Sequence, residues 1–373
     1  MNIKTITCHD VYNYGASLQA FALQTFLEKN GHSVEIIDYK PDYIDFPYKV
    51  SLFVHPHSPA KKIVDKIPGM GLLYGIKRYL WYLPSLKRKQ AFDKFTKKYL
   101  RLTKTYHSNE SLAKDVPDAD VYIVGSDQVW NSITMLNGTD PAFYLQFVPS
   151  SRKRLSYAAS FGSISVSDKY EAVIKQWLST FNAISVRESS GVELLKCLGI
   201  NGDHVCDPVF LLSEDEWRYN LNIPQKEEKY VLIYNLTSLN EELLANAKQT
   251  AKRMGAKLYS ISPMQIKGVD KCFINAGPEQ FVSLIFNASF VFTNSFHATA
   301  FSIISHRQFC TYNYHSKSNS SRMYSVLAEM DMLDRLNITD INKVIDSPID
   351  YSAKKHLIDT SCNNGKYWLQ KNI

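Results

Sequence analysis

Apolar residues along this chain come in short runs. Each run closes on polar or small residues and is followed by a segment with helical spacing. A strand-like stretch, Ile3 to Cys8, opens the chain, and a turn-rich loop, His9 to Gly15, follows it. Leu18, Phe21, Ala22, Thr25 and Phe26 then share one face at spacings of three and four, which predicts a helix from Ala16 to Asn30 with Gly31 as its C-cap. Val34 to Asp38 reads as a second strand. The alternation resumes with strands predicted at 121–124, 155–159 and 183–186, each ending in polar or small residues. A second set has strands expected at 230–234, 257–261 and 290–293 and helices at 241–254, 278–287 and 298–305. Repeated strand–loop–helix units predict an α/β protein with mostly parallel sheets and an active edge at the strand ends.

Pro224 to Lys229 is polar and aperiodic and reads as a linker. The expected organisation is an N-terminal Rossmann-like domain, 1–225, with a basic helical insert at about 45–110, and a C-terminal Rossmann-like domain, 226–373. A terminal helix, Ala353 to Lys371, is expected to return to the first domain. Two such halves facing a cleft match the glycosyltransferase B-type architecture, in which ligands sit between the halves.

Composition narrows the class. With 373 residues and 45% apolar content the chain can build two real cores. No run approaches the roughly 18 apolar residues of a membrane span. The start, Met1 to Ile6, enters a strand pattern without a signal-peptide layout, and the expected location is cytoplasmic. The six cysteines are scattered and lack zinc-site spacing, so reduced thiols and no metal are expected. The formal charge of +7 is uneven: residues 61–104 hold 13 basic against two acidic residues, a local +11 that leaves −4 for the remainder. Interleaved with Tyr79, Trp81 and Tyr82, these cations suit an anionic membrane surface or a polyanion as well as they suit a solvated helix face. Nucleic acid is not among the expected partners.

Four loops are candidates for one cleft. The first holds His9, Asn13, Tyr14 and Gly15, a tight turn that also permits close ligand approach. The second is Gly125-Ser126-Asp127-Gln128-Val129-Trp130-Asn131, unusually rich in hydrogen-bonding groups for a connector, with an exposed-looking Trp130 and with Asp127 as either a general base or a helix cap. The third is Arg187-Glu188. A guanidinium ending a buried strand needs an anion; Glu188 points to the other face, so an anionic ligand is the expected partner. The fourth is Asn294-Ser295-Phe296-His297, where a strand meets a helix and His297 is suited to proton transfer. Arg322 opens a helix-like run, a poor place for a cation unless an anion is near.

The ordered blocks NYGASLQA (13–20), VGSDQVWN (124–131), YAASFG (157–162), ISVRE (184–188), CDPV (206–209), TNSFHAT (293–299) and SSR (320–322) together resemble the polysaccharide pyruvyl transferase family. The resemblance implies transfer of a pyruvyl group from phosphoenolpyruvate onto a sugar of a surface glycan, with no cofactor. It implies that His297 is the general acid and that Arg187 binds phosphoenolpyruvate. Asp127 joins His297 as a catalytic candidate; Arg322, Asn13, Tyr14, Gly15, Ser126, Gln128, Asn294 and Ser295 are the other expected substrate contacts. A lipid-linked oligosaccharide acceptor would give the basic segment a role at the inner face of the plasma membrane. One departure stands out: some members carry Arg two residues before the histidine, where this chain has Ser295. Two other functions stay open, a sugar-nucleotide glycosyltransferase of the same fold and a non-catalytic glycan- or anion-binding protein. The paired glutamates eight apart that many such glycosyltransferases use are not in the sequence.

Overall fold

A computed structural model describes residues 1–45, 86–133, 136–236, 241–313 and 317–373. The first sheet contains β1 (Asn2–Ile6), β2 (Ser33–Tyr39), β3 (Leu102–Tyr106), β4 (Val121–Val124), β5 (Lys153–Ala159), β6 (Ala183–Val186) and β7 (Asp203–His204) in the order β3-β2-β1-β4-β5-β6-β7. The second contains β8 (Tyr230–Tyr234), β9 (Lys257–Ile261), β10 (Lys271–Phe273), β11 (Phe290–Thr293) and β12 (Gln308–Thr311) in the order β10-β9-β8-β11-β12. The described pairings are parallel throughout. Buried on both faces, the central strands are near-continuous apolar runs: every residue of β4, β8 and β11 is buried. This is an α/β fold of the glycosyltransferase B type.

The strand order sets where chemistry can occur. In each sheet the order reverses once, between β1 and β4 and between β8 and β11, and such a reversal opens a crevice at the carboxyl ends of the strands. Register makes those ends level: Ile6 pairs with Val124, and Tyr234 pairs with Thr293. The loops after β1, β4 and β6 therefore meet the loop after β11.

Four short strands carry no clear periodic signal. β3 lies within the stretch expected to be a helical insert. Its sequence, Leu-Thr-Lys-Thr-Tyr, is half exposed because it forms the sheet edge. β7, β10 and β12 have two, three and four residues. The greater part of the basic insert, 46–85, lies outside the described residues. Its described portion includes the helix Leu86–Tyr99, which buries Phe92 and Phe95 and exposes Lys87, Lys94, Lys97 and Lys98. The apolar side chains of this helix thus pack inward.

That helix bridges the sheets. Lys98 pairs with Glu279 at 3.3 Å, and Ala91 packs on Gly277, at the start of the helix Pro278–Phe286. Beneath it, Tyr14 stacks on Phe281 with ring centroids 4.3 Å apart and planes at 7°, and its hydroxyl donates to the Ala276 carbonyl at 2.8 Å. A second tie is the helix Tyr351–Asn372. It begins against the second unit, where the Tyr351 hydroxyl donates to Arg307 O at 2.6 Å, and ends on the first, where Trp368 Nε1 donates to Asp203 at 2.7 Å. Gly365 makes the approach feasible: a Cβ there would sit 2.5 Å from the Tyr157 hydroxyl.

The aromatic pin should dominate the coupling of the two units. Phe281→Ala removes a fully buried ring that touches Tyr14, Tyr234 and Phe301. A loss of about 3–5 kcal/mol is expected in urea denaturation. A loss below about 1 kcal/mol would mean that the interface holds by other contacts.

Candidate active site

The site begins with a carboxylate in an apolar run. Asp207 follows β7 in Val-Cys-Asp-Pro-Val-Phe-Leu-Leu and is 1% exposed. Its Oδ1 accepts the Val209 N–H at 3.1 Å, capping the turn that Pro208 opens. Oδ2 accepts Arg187 Nη1 at 2.7 Å and the Ser126 hydroxyl at 2.9 Å, and His297 Nε2 lies 3.7 Å away. Burial alone would raise the Asp207 pKa. The nearby His297 imidazole and the charge and hydrogen bond of Arg187 outweigh it and hold the carboxyl well below the usual range.

Arg187 leaves the end of β6 with its side chain 1% exposed. Phe296 covers its guanidinium at 4.8 Å. Among the described residues only Nη1 is engaged by the protein, while Nε and Nη2 are buried without a hydrogen-bond partner. The Asp127 carboxylate is 3.9 Å from Nη2, too far for a hydrogen bond. The expectation that Arg187 lacks an internal carboxylate is therefore corrected. Asp207, twenty residues on, is its partner, brought close because β6 and β7 are adjacent strands. Glu188 does turn elsewhere, accepting the Ser160 hydroxyl.

Arg322, from the helix Lys317–Glu329, lies beside this pair and is 8% exposed. With the Gln128 amide oriented so that its oxygen faces the guanidinium, that oxygen accepts from Nη1 at 3.1 Å and Nη2 at 2.7 Å. Burial and the like charge of Arg187 pull the Arg322 pKa down to about 10. Asp127, 21% exposed at its side chain, has φ +81°, a strained value for a residue other than glycine.

His297 comes from the other sheet, in the first turn of the helix Phe296–Ile304. Its ring lies against the first turn of the helix Tyr14–Lys29. A Cβ on Gly15 would be 1.9 Å from Nδ1, so only glycine admits the imidazole in this position. Its Nε2 is buried without a hydrogen-bond partner and faces Asp207.

Other expected contacts have different placements. Ser126 is fully buried and supports Asp207 from behind. Ser295 caps the histidine helix by accepting the Ala298 N–H at 3.4 Å, and Asn13 caps the first helix by accepting the N–H groups of Gly15 and Ala16. Tyr14 is the interface pin. Asn294 accepts the Leu236 N–H at 2.8 Å and joins the ends of β8 and β11. Trp130, read as exposed, is fully buried and donates to the Phe143 carbonyl at 2.9 Å. His9 is buried against Asp38 at 3.0 Å. Asp207 is the residue that sequence reasoning passed over. The signal was an acidic side chain inside an eight-residue apolar run. Among the described residues no group of three His, Cys, Asp or Glu is placed to hold a metal ion, and no helix is long and apolar enough to cross a membrane. A cavity of about 560 Å³ lined by Glu214, His306 and Lys366 includes none of these site residues, so cavity size alone does not locate the chemistry.

Two parallel sheets with buried arginines and a histidine at their facing edges define an enzyme-like cleft of the glycosyltransferase B class. Solved structures agree on the fold. UDP-GlcNAc 2-epimerase from Neisseria meningitidis bound to UDP-GlcNAc is 9% identical over 100% of this chain and 99% of its own, with a TM-score of 0.52. UGT89C1 of Arabidopsis thaliana complexed with UDP-L-rhamnose is 10% identical over 97% and 94%, with a TM-score of 0.50. No curated protein matches the sequence. The polysaccharide pyruvyl transferase model matches residues 13–316, and the chain belongs to that family. Membership implies a transferase that acts on polysaccharide.

Gly15→Ala should leave the helix and the fold intact yet displace His297, visible as a shifted imidazole in a crystal structure; an unmoved ring would refute the close-contact argument. Asp207 gives a pH signature. Its folded pKa is depressed below an unfolded value of about 3.9, so its stabilisation is complete above that value and fades as pH falls through the folded pKa. Asp207→Asn should cost about 3–5 kcal/mol at neutral pH by leaving Arg187 buried and poorly paired. It should also lack that part of the acid-induced loss below about pH 4. Parallel stability–pH curves for the two proteins would exclude the assignment.

Proposed function

We propose that the protein transfers a pyruvyl group from phosphoenolpyruvate to a sugar of a surface polysaccharide repeat unit, forming a cyclic ketal. One observation carries the reading. Arg187 Nε and Nη2 and His297 Nε2 are buried, lack hydrogen-bond partners and belong to opposite units of the fold, with Arg322 beside them. Buried donors of this strength call for an acceptor, and two adjacent guanidinium groups call for an anion. Phosphoenolpyruvate offers a carboxylate and a phosphate, one for each arginine.

In this reading His297 protonates the methylene carbon of the donor, which makes C2 electrophilic. A sugar hydroxyl attacks C2 and gives its proton to a base. Asp127 is the assigned base because its carboxylate is partly exposed at the same strand edge. The C2–phosphate bond then breaks, inorganic phosphate leaves, and a second hydroxyl of the sugar closes the ketal and releases a proton. Phosphoenolpyruvate and a diol thus become a ketal and phosphate. Asp207 holds Arg187 in place and offers a negative charge to His297. The missing arginine at Ser295 is offset by Arg322, which reaches the Arg187 side of the cleft from a different helix.

The test is phosphate release from phosphoenolpyruvate with sugar acceptors, run beside UDP release from UDP-sugars. His297→Ala should reduce phosphate release by about 10²–10⁴-fold while leaving donor affinity within a few-fold. Arg187→Lys should weaken the binding of phosphoenolpyruvate itself, because the planar fork is lost. Release of UDP in place of phosphate would replace the reading with glycosyl transfer, and a fully active His297→Ala protein would remove the acid.

A further inference from the structure

We propose that the crevice beside Arg88 is a subsite for a diphosphate group carried by the acceptor. This rests on the transferase reading above, because it supplies the acceptor's second anchor. The crevice has a volume of about 160 Å³. The loop Tyr12–Tyr14 forms one wall; Tyr234 and Asn235 after β8, with Ser262 after β9, form the other. It therefore lies between the two sheets at their carboxyl edges. Asn13 and Tyr14 directly precede Gly15, against which His297 packs. A ligand held here reaches toward the imidazole.

Its chemistry is specific. Arg88 is the one charged residue of the lining among the described residues. The guanidinium lies 5.3 Å from the centroids of both Tyr14 and Phe92, so the aromatic faces fix its plane. One N–H of Nη2 donates to the Tyr12 carbonyl at 3.1 Å. No carboxylate among the described residues pairs with it, although Asp93 is on the same helix, because Asp93 accepts the Tyr12 hydroxyl at 3.0 Å instead. An oriented arginine without a carboxylate, amid tyrosines and amides, suits a phosphate-bearing sugar. The donor does not need this arginine, since Arg187 and Arg322 already lie together on the far side of His297. The exposed lysines of the same helix, Lys87, Lys94, Lys97 and Lys98, extend the positive field outward from the crevice. A diphosphate can come from a nucleotide or from a lipid carrier, and both share this recognition.

Calorimetry on the full chain with inorganic pyrophosphate, UDP and farnesyl diphosphate tests the site. Binding of pyrophosphate is expected, weakened about 10- to 100-fold by Arg88→Gln, the scale of one charge-assisted contact. Arg88→Lys should retain it within a few-fold, and the Arg88→Gln loss should persist in an Arg187→Lys background, where the anion site at Arg187 is weakened. Tighter binding of farnesyl diphosphate than UDP would identify a lipid carrier, and the reverse a nucleotide. No pyrophosphate binding, equal losses in Arg88→Lys and Arg88→Gln, or a loss in Arg187→Lys alone would overturn the proposal. Because the readout is binding without phosphoenolpyruvate, it stays informative if pyruvyl transfer fails, and loss of the subsite leaves phosphate release from phosphoenolpyruvate to be judged separately.

Discussion

The site depends on keeping an ionised carboxylate dry. Asp207 is screened from solvent, and a lone carboxylate in such a place would simply take up a proton. It remains charged because a guanidinium, a hydroxyl and a backbone N–H point at it. That requirement propagates. It fixes Ser126, and so the turn after β4; it fixes Arg187, and so the end of β6; and it sets the negative charge that faces the histidine of the other sheet. Arg187 in turn keeps two donors unmet, a cost that a purely structural arginine in a core would not carry.

Much of the fold was legible. The central strands β4, β8 and β11 are apolar because helices cover both faces, and that burial is what the sequence pattern records. Edge strands escaped because they lack it: β3 alternates threonine with lysine, and β7 has two residues. Four loops were expected to share one cleft; Asp127, Arg187 and His297 come from three of them, and Arg322 lies beside Arg187 from within a helix.

The partners were not legible, for physical reasons. Asp207 reaches Arg187 through the adjacency of β6 and β7, which depends on strand order and not on local pattern. Trp130 sits in a polar loop yet is buried, because Tyr144, Phe161 and Phe181 close over it from three other segments. Ser295 and Asn13 carry groups that could contact ligand, but each lies one position ahead of a helix, where capping the exposed N–H groups has the stronger claim. Polar residues at strand ends thus divide into those that shape the loop and those that face the cleft, and only the packed structure separates them.

The helix Tyr351–Asn372 has a consequence for how the chain folds. Its Trp368 meets Asp203, 165 positions earlier, after the second sheet has intervened. Tyr157 and Cys206 beneath Gly365 are therefore made early and covered late. While the chain emerges from the ribosome, the first sheet exists with part of its apolar face open, and contacts of such long sequence separation form slowly. The earliest half to be synthesised is the last to be sealed, which places the interval of greatest exposure to aggregation or chaperone capture after the first sheet has formed and before the final helix docks.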